Sequence, residues 1–142
     1  MKLLNDFKKS KILINIYRLY IRYNIMSKLT KEQYYGNTEY KLKFIDMNPA
    51  KIEKYATQLK FRLIEGKGVA YYYVGVSDSG YLIGIPDNDI DRHIQIMKKI
   101  ANTVSSIVEN IEILTIKNST DKFIQFKIRA TFSFDNIFII TD

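Results

Sequence analysis

The chain has 142 residues, a net charge of +7 and no cysteine, which fits one domain with a sizeable core and excludes a disulfide framework, a thiol nucleophile and a cysteine-based metal site. Isoleucine, lysine, tyrosine and asparagine, all with AT-rich codons, supply 61 of the residues, so lysine abundance carries little weight as a nucleic-acid signal. Six basic residues (Lys2, Lys8, Lys9, Lys11, Arg18, Arg22) face one acidic residue (Asp6) within positions 1–25, leaving a balance of only +2 over the remainder, and this argues against charge-driven RNA binding by the domain as a whole.

Residues 1–25 carry Ile12, Ile16, Leu19 and Tyr23 at helical spacing, with Lys11, Asn15, Arg18 and Arg22 between them. This is a basic amphipathic leader, suited to a membrane surface, a partner or RNA. Its charges interrupt any span of about 20 apolar residues, and Arg18 and Arg22 break the apolar core a signal peptide needs. Stable membrane insertion is therefore not expected, and the cytoplasm is the expected compartment. Met26-Ser27-Lys28-Leu29-Thr30 looks like an ordinary start, and on that reading the leader is a dispensable extension. Residues 26–37 read as a linker and 38–142 as a single domain.

Glu39 to Ile45 alternates with period two, predicting a half-buried strand with Tyr40, Leu42 and Phe44 inward. Asn48-Pro49 predicts a helix start, with Asn48 as cap and Pro49 in the first turn. Ile52, Tyr55, Ala56, Leu59 and Leu63 form its stripe, and Gly66 and Gly68 stop it after Glu65. Val69 to Ile85 reads as a β-hairpin around Ser77-Asp78-Ser79-Gly80. Within it Tyr71 and Tyr73 share one face and Tyr72 takes the other, so at least one set is core or half-buried. Asp87, Asn88 and Asp89 are expected to cap a second helix with the stripe Ile90, Ile94, Met97, Ala101 and Val104, extending to Val108. Ile111 to Ile116 and Phe123 to Phe132 read as two further strands around an Asn118–Asp121 turn. The order β-α-β-β-α-β-β predicts an α+β two-layer sandwich, with two helices on one face of a mixed or antiparallel sheet.

The chain contains no G-x-x-x-x-G-K-[ST] loop for nucleotide phosphates, and Gly66-Lys67-Gly68 reads as a helix stop. His93, the single histidine, lacks partners for a zinc site or a catalytic triad and is expected on a helix surface. Asp87, Asp89 and Asp91 lack the later glycine and glutamate of a calcium loop, so helix capping explains them better. Tyr34-Tyr35 and Tyr71 to Tyr73 offer rings that could stack on bases. No cofactor and no metal are expected.

Three segments, Glu39-Tyr40-Lys41-Leu42-Lys43, then Gln58 to Gly68, then Tyr73 to Gly84, resemble the region preceding the GTPase domain in the GTP-binding protein 1/2-like family of elongation-factor-type translational GTPases. Order and spacing match over residues 39 to about 116, with Phe61 where that family usually has tryptophan. The resemblance implies a non-catalytic accessory module without a GTPase core, binding tRNA, rRNA, the ribosome or a separately encoded GTPase domain, or else a truncated or split-gene product. Lys41, Lys43, Lys60, Arg62 and Lys67 are the expected contacts, with Lys60 and Lys67 on one face if the helix persists. The hairpin also resembles, more weakly, Schlafen-type RNA-processing proteins. On that alternative Glu39 and Asp78 would be the acidic site of a metal-dependent ribonuclease, with Lys43 or Phe44 near where a further glutamate is usual. Asp78 also suits a tight turn for local reasons alone.

Overall fold

A computed structural model describes residues 28–132; the leader over 1–25 and most of the apolar stretch 132–140 lie outside the described residues. The elements are β1 (Thr38–Lys41), α1 (Pro49–Glu65), β2 (Val69–Val74), α2 (Ile90–Thr103), β3 (Ser106–Thr115) and β4 (Lys122–Ala130), with a 3₁₀ turn at Asp87–Asp89 leading into α2. Four strands form one mixed sheet in the order β1-β2-β4-β3. β1 runs parallel to β2, while β4 pairs antiparallel with both β2 and β3. Both helices pack on one face, giving the expected two-layer α+β sandwich.

The principal core joins Ile52, Leu59 and Leu63 of α1 and Met97 and Ile100 of α2 to Ala70, Tyr72, Val74, Ile124, Phe126 and Ile128 of the central strands. Tyr72 is fully buried there, while Tyr71 and Tyr73 on the opposite face are half-buried. A second cluster on that opposite face gathers Tyr40, Val76, Leu82, Leu114, Ile116 and Phe123, with Leu29 and Tyr73 against it.

The hairpin turn forms where expected: the Gly80 amide donates to Ser77 O (2.8 Å) and the Ser77 amide to Tyr81 O (2.9 Å). Its return arm is a correction, because it holds only isolated bridges, Val76 to Leu82, Lys28 to Tyr81 and Ile85 to Lys122. The cause is backbone geometry. Gly75 and Gly84 sit at φ +97° and +90°, and the amides of Ile83 and Gly84 both donate to Gly75 O, each at 2.9 Å. A regular ladder cannot pass through that doubled contact. The sheet therefore has four strands, and the order is β-α-β-α-β-β.

β1 also stops earlier than its alternation suggests. Lys41 O accepts from the amides of Gly75 and Val76, so pairing ends at Lys41 and Leu42 is half exposed. Phe44 is still buried, against Tyr55 and His93. α2 ends at Thr103, and Val108, expected as a helical position, belongs to β3, whose alternation is interrupted by a bulge between Val108 and Asn110. Asp89 precedes α2 but makes no side-chain capping bond; its carboxylate pairs with Arg92 Nε at 2.7 Å.

His93 is not on the surface. It is fully buried, stacked 5.8 Å from Phe44, with Nδ1 2.8 Å from Asp89 O. Burial holds its pKa below the usual histidine value, against the opposing pull of the Asp89 carbonyl. Its neighbour Arg92 and the isolated position had suggested exposure, but the i−3 and i+4 positions Ile90 and Met97 are on the buried side.

The end of α1 sets up a test. Asn48 Oδ1 caps the start by accepting from the Lys51 amide (2.9 Å), with Pro49 in the first turn. At the other end the Gly68 amide donates to Leu63 O (2.8 Å) and the Lys67 amide to Ile64 O (3.2 Å), the paired bonds of a Schellman motif. The left-handed position of that motif is filled by Lys67, at φ +52°, where glycine carries no Cβ penalty. Lys67 therefore lies beyond the helix and does not continue the Lys60 face. Lys67→Gly is expected to raise stability by roughly 1 kcal/mol, read as a higher urea midpoint.

Candidate functional site

Residues 28–37, read from the sequence as linker, cross the domain as a strap. The Leu29 amide donates to Gly80 O (2.7 Å) and the Glu32 amide to Asp78 O (2.9 Å), pinning the strap to the hairpin tip. Tyr40 binds it twice, its Oη donating to Thr30 O (2.8 Å) and its amide to Glu32 Oε2. Gly80, at φ +95°, brings its backbone against Leu29 so closely that a Cβ would collide with the Leu29 carbonyl. The strap therefore depends on a glycine that the hairpin turn already required.

Arg62 is the latch. It lies on the inward side of α1 and is buried. Its Nε donates to Glu39 Oε2 at 2.7 Å, Nη1 to Gly36 O at 3.0 Å and Nη2 to Gln33 O at 2.8 Å. One planar guanidinium thus joins α1, β1 and the strap through a fixed fork of donors. Glu39, also buried, has its second oxygen 3.4 Å from Lys41 Nζ, and that ammonium donates to Gln58 Oε1 (2.7 Å) and sits 4.8 Å from the centre of the Tyr55 ring.

Between the strap, the hairpin tip and α1 lies an open cleft of about 420 Å³. Glu32, Glu39 and Asp78 line it, together with Lys31, Arg62, Tyr34, Phe61 and the polar side chains of Gln33, Thr57 and Gln58. Its ionisable residues carry one more negative than positive charge, in a chain whose net charge is +7. Burial raises the Glu32 carboxyl above its ordinary pKa; the Tyr40 amide opposes this, and the Glu39 and Asp78 charges push it further up. Tyr34 is 92% and Phe61 46% exposed.

The structure does not gather the five expected basic contacts into one surface. Arg62 and Lys41 are turned inward around Glu39. Lys43 is exposed and acts electrostatically on Asp89 and His93. Lys60 is exposed on α1, and Lys67 is exposed in the turn beyond it. Glu39 and Asp78 do line one cleft, but Glu39 is held by two cations, and among the described residues no three His, Cys, Asp or Glu side chains converge to hold a metal ion. Ser77, not Asp78, supplies the side-chain bond of the turn, its Oγ accepting from the Tyr81 amide at 3.0 Å.

Glu32 and the inward role of Arg62 escape a sequence reading. Arg62 sits one position before Leu63 and three after Leu59, inside the apolar stripe; that placement is the one signal that it faces the interior. Glu32 belongs to no periodic segment.

Over 71 residues, half of this chain, the sequence is 37% identical to GTP-binding protein 2 of Mus musculus and, equally, of Homo sapiens. The matched stretch spans 12% of those proteins' length. An uncharacterized protein of Acanthamoeba polyphaga mimivirus is 30% identical over 86 residues, covering 60% of this chain and 46% of its own length. No family model matches. The chain is thus related in part to GTP-binding protein 2. Among the described residues no helix is long and apolar enough to cross a membrane.

Two predictions follow from the latch. Arg62→Ala leaves the Glu39 carboxylate buried beside Lys41 alone and removes two bonds to the strap; a loss of about 3–5 kcal/mol is expected, with increased amide exchange over residues 28–37. Arg62→Lys should recover only part of this, because an ammonium cannot span the same three acceptors. Glu32 provides the second. Its raised native pKa means the folded state holds that proton more tightly, so its contribution is present in acid and lost as pH rises past the raised value. Glu32→Gln should stabilise the protein relative to the parent at pH 7, and the difference should vanish near pH 4 in paired urea titrations.

Proposed function

We propose that this chain is a non-catalytic accessory module of a GTP-binding protein, docking on the GTPase itself rather than on RNA. The observation that carries this reading is the distribution of charge around the cleft. Of the five basic residues offered for phosphate contact, two are consumed inside the fold and three are dispersed. The cleft beside the strap instead presents carboxylates and exposed rings, a lining that repels a polyanion and suits a protein surface. The partial relation to GTP-binding protein 2 supplies the kind of partner. Translation, and the cytoplasm as its setting, come with that reading through the resemblance to elongation-factor-type GTPases.

The test uses the full chain against three probes: fluorescent GTP, bulk tRNA at 50 and 150 mM salt, and human GTP-binding protein 2. The last is used both intact and without its 71 matched residues, with GTP binding as the check that it is folded. The expected result is no saturable GTP binding by this chain, tRNA association that fades at the higher salt, and association with the deleted GTP-binding protein. Binding of tRNA that persists at 150 mM salt and is weakened by Lys43→Ala, Lys60→Ala or Lys67→Ala would overturn the reading in favour of an RNA-binding module.

A further inference from the structure

We propose that His93 and Phe44 form an acid-released clasp, which holds the connection between β1 and α1 against α2 at neutral pH and lets go of it when the imidazole takes up a proton. The clasp uses none of the residues that line the cleft and does not depend on what the module docks on.

The connection is held chiefly by one ring. Of residues 42–48 only Phe44 is buried and Met47 half-buried; Leu42, Lys43, Ile45, Asp46 and Asn48 are exposed. Among the described residues, no backbone hydrogen bond joins 43–47 to another element, and Ile45 O accepts from the Lys51 ammonium at 3.1 Å, at an exposed position. A segment with so few ties opens locally at a free energy well below that of the whole fold. What fixes it is the Phe44 ring, edge-on to Tyr55 of α1 (5.6 Å between centres) and stacked on His93 of α2 (5.8 Å, with 28° between the planes).

The imidazole is placed to be neutral. Nδ1 lies 2.8 Å from the Asp89 carbonyl, which can only accept, so Nδ1 carries the hydrogen and Nε2 a bare lone pair. Nε2 is buried with no hydrogen-bond partner among the described residues. A proton arriving in acid goes to Nε2 and creates a buried, charged donor without an acceptor. Burial, the largest influence on the ring, lowers its pKa; the backbone and carboxylate of Asp89 pull the other way, and Arg92 and Lys43 push it down further. Asp89 cannot fully answer the new charge. Its Oδ2 is 3.7 Å from Nδ1, and Arg92 already holds that carboxylate at 2.7 and 3.1 Å. From α1 this corner receives the phenol of Tyr55, through Phe44. The contribution of the neutral ring is therefore full above the ordinary histidine pKa of about 6.5 and is lost as pH falls from there through the lowered value.

Withdrawing Phe44 and admitting water to Nε2 is the least costly relief, because α2 is anchored by Ile90, Met97, Ile100 and Ala101. Once released, Phe44 joins Leu42 and Ile45, both already half exposed, in an apolar segment open to a partner.

The test follows the full-length chain, with ¹³C in its phenylalanine and histidine rings, by NMR from pH 7.5 to 5.0. His93 should be neutral at pH 7. Phe44 should leave its buried shift for a solvent-like one as the imidazole protonates, with a common midpoint below about 6.5, while Phe126 of the main core keeps its native shift. His93→Gln should hold Phe44 in place over the whole range. Arg92→Gln alters an exposed side chain and frees Asp89 to pair with the imidazolium; it should let His93 titrate at higher pH with less release of Phe44. A Phe44 shift indifferent to pH, loss of Phe44 and Phe126 together, release that persists in His93→Gln, or a His93 that titrates in Arg92→Gln as in the parent would each overturn the proposal.

Discussion

The Arg62–Glu39 pair is the contact on which the rest of the site depends. Helix α1 alone would bury Ile52, Leu59 and Leu63 against the sheet, and the parallel β1–β2 pairing alone would place Glu39 on the helix-facing side opposite Tyr72. Those two requirements bring a carboxylate into the interior, and Arg62 from the facing helix, with Lys41 beside it on β1, makes that tolerable. Arg62 meets the need with one nitrogen, at 2.7 Å, and uses the other two on strap carbonyls. A buried ion pair is weak evidence for stability in general. Here its value is positional, because it fixes where the strap lies.

From that position the remaining geometry follows. The strap can reach the hairpin tip only if the tip turns toward it, and the turn at Ser77–Gly80 does so because β2 ends at Val74 and Gly75 takes a left-handed conformation. Leu29, Val76 and Leu82 then meet Tyr40, Leu114 and Phe123 on the face of the sheet that the helices leave open. This second apolar cluster covers one end of that face and anchors the strap from below. The cleft is what remains between a strap held at both its carbonyls and its amides and a helix whose outward Phe61 lies one residue before the latch. The cleft is walled by α1 on one side and by the strap, with exposed Tyr34, on the other.

Much of this was legible in the sequence wherever a local rule acted alone. The caps of α1, its stripe, the Ser77–Gly80 turn and the class of fold all follow from residue chemistry within a few positions. The misreadings occur where a distant backbone group intervenes. Alternation extends β1 four residues too far, to Ile45 instead of Lys41, because the amides that end it belong to Gly75 and Val76. The return arm of the hairpin was read as a strand because its side chains alternate, although two amides converge on one carbonyl. β3 was read short because the bulge beyond Val108 breaks its alternation. His93 was placed outside by its charged neighbour when helical spacing puts it with Ile90 and Met97. Glu39 and Asp78 were singled out as a possible acidic pair, and they do line one cleft, but the strap glutamate that joins them carries no pattern a sequence reading could detect.

The same distinction bears on what the molecule binds. Counting lysines and arginines describes a basic chain, but that excess is concentrated in the first 25 positions, whereas the cleft is locally acidic. Within the domain, Arg62, one of the five basic residues expected to contact phosphate, is the one the fold has most completely used. Its replacement by lysine would keep the charge while weakening the site, which a simple electrostatic footprint does not predict. Affinity for nucleic acid and docking through the domain would therefore be separable properties of this chain. The first would scale with salt and with the basic residues preceding the domain, and the second with the geometry of a single latched strap.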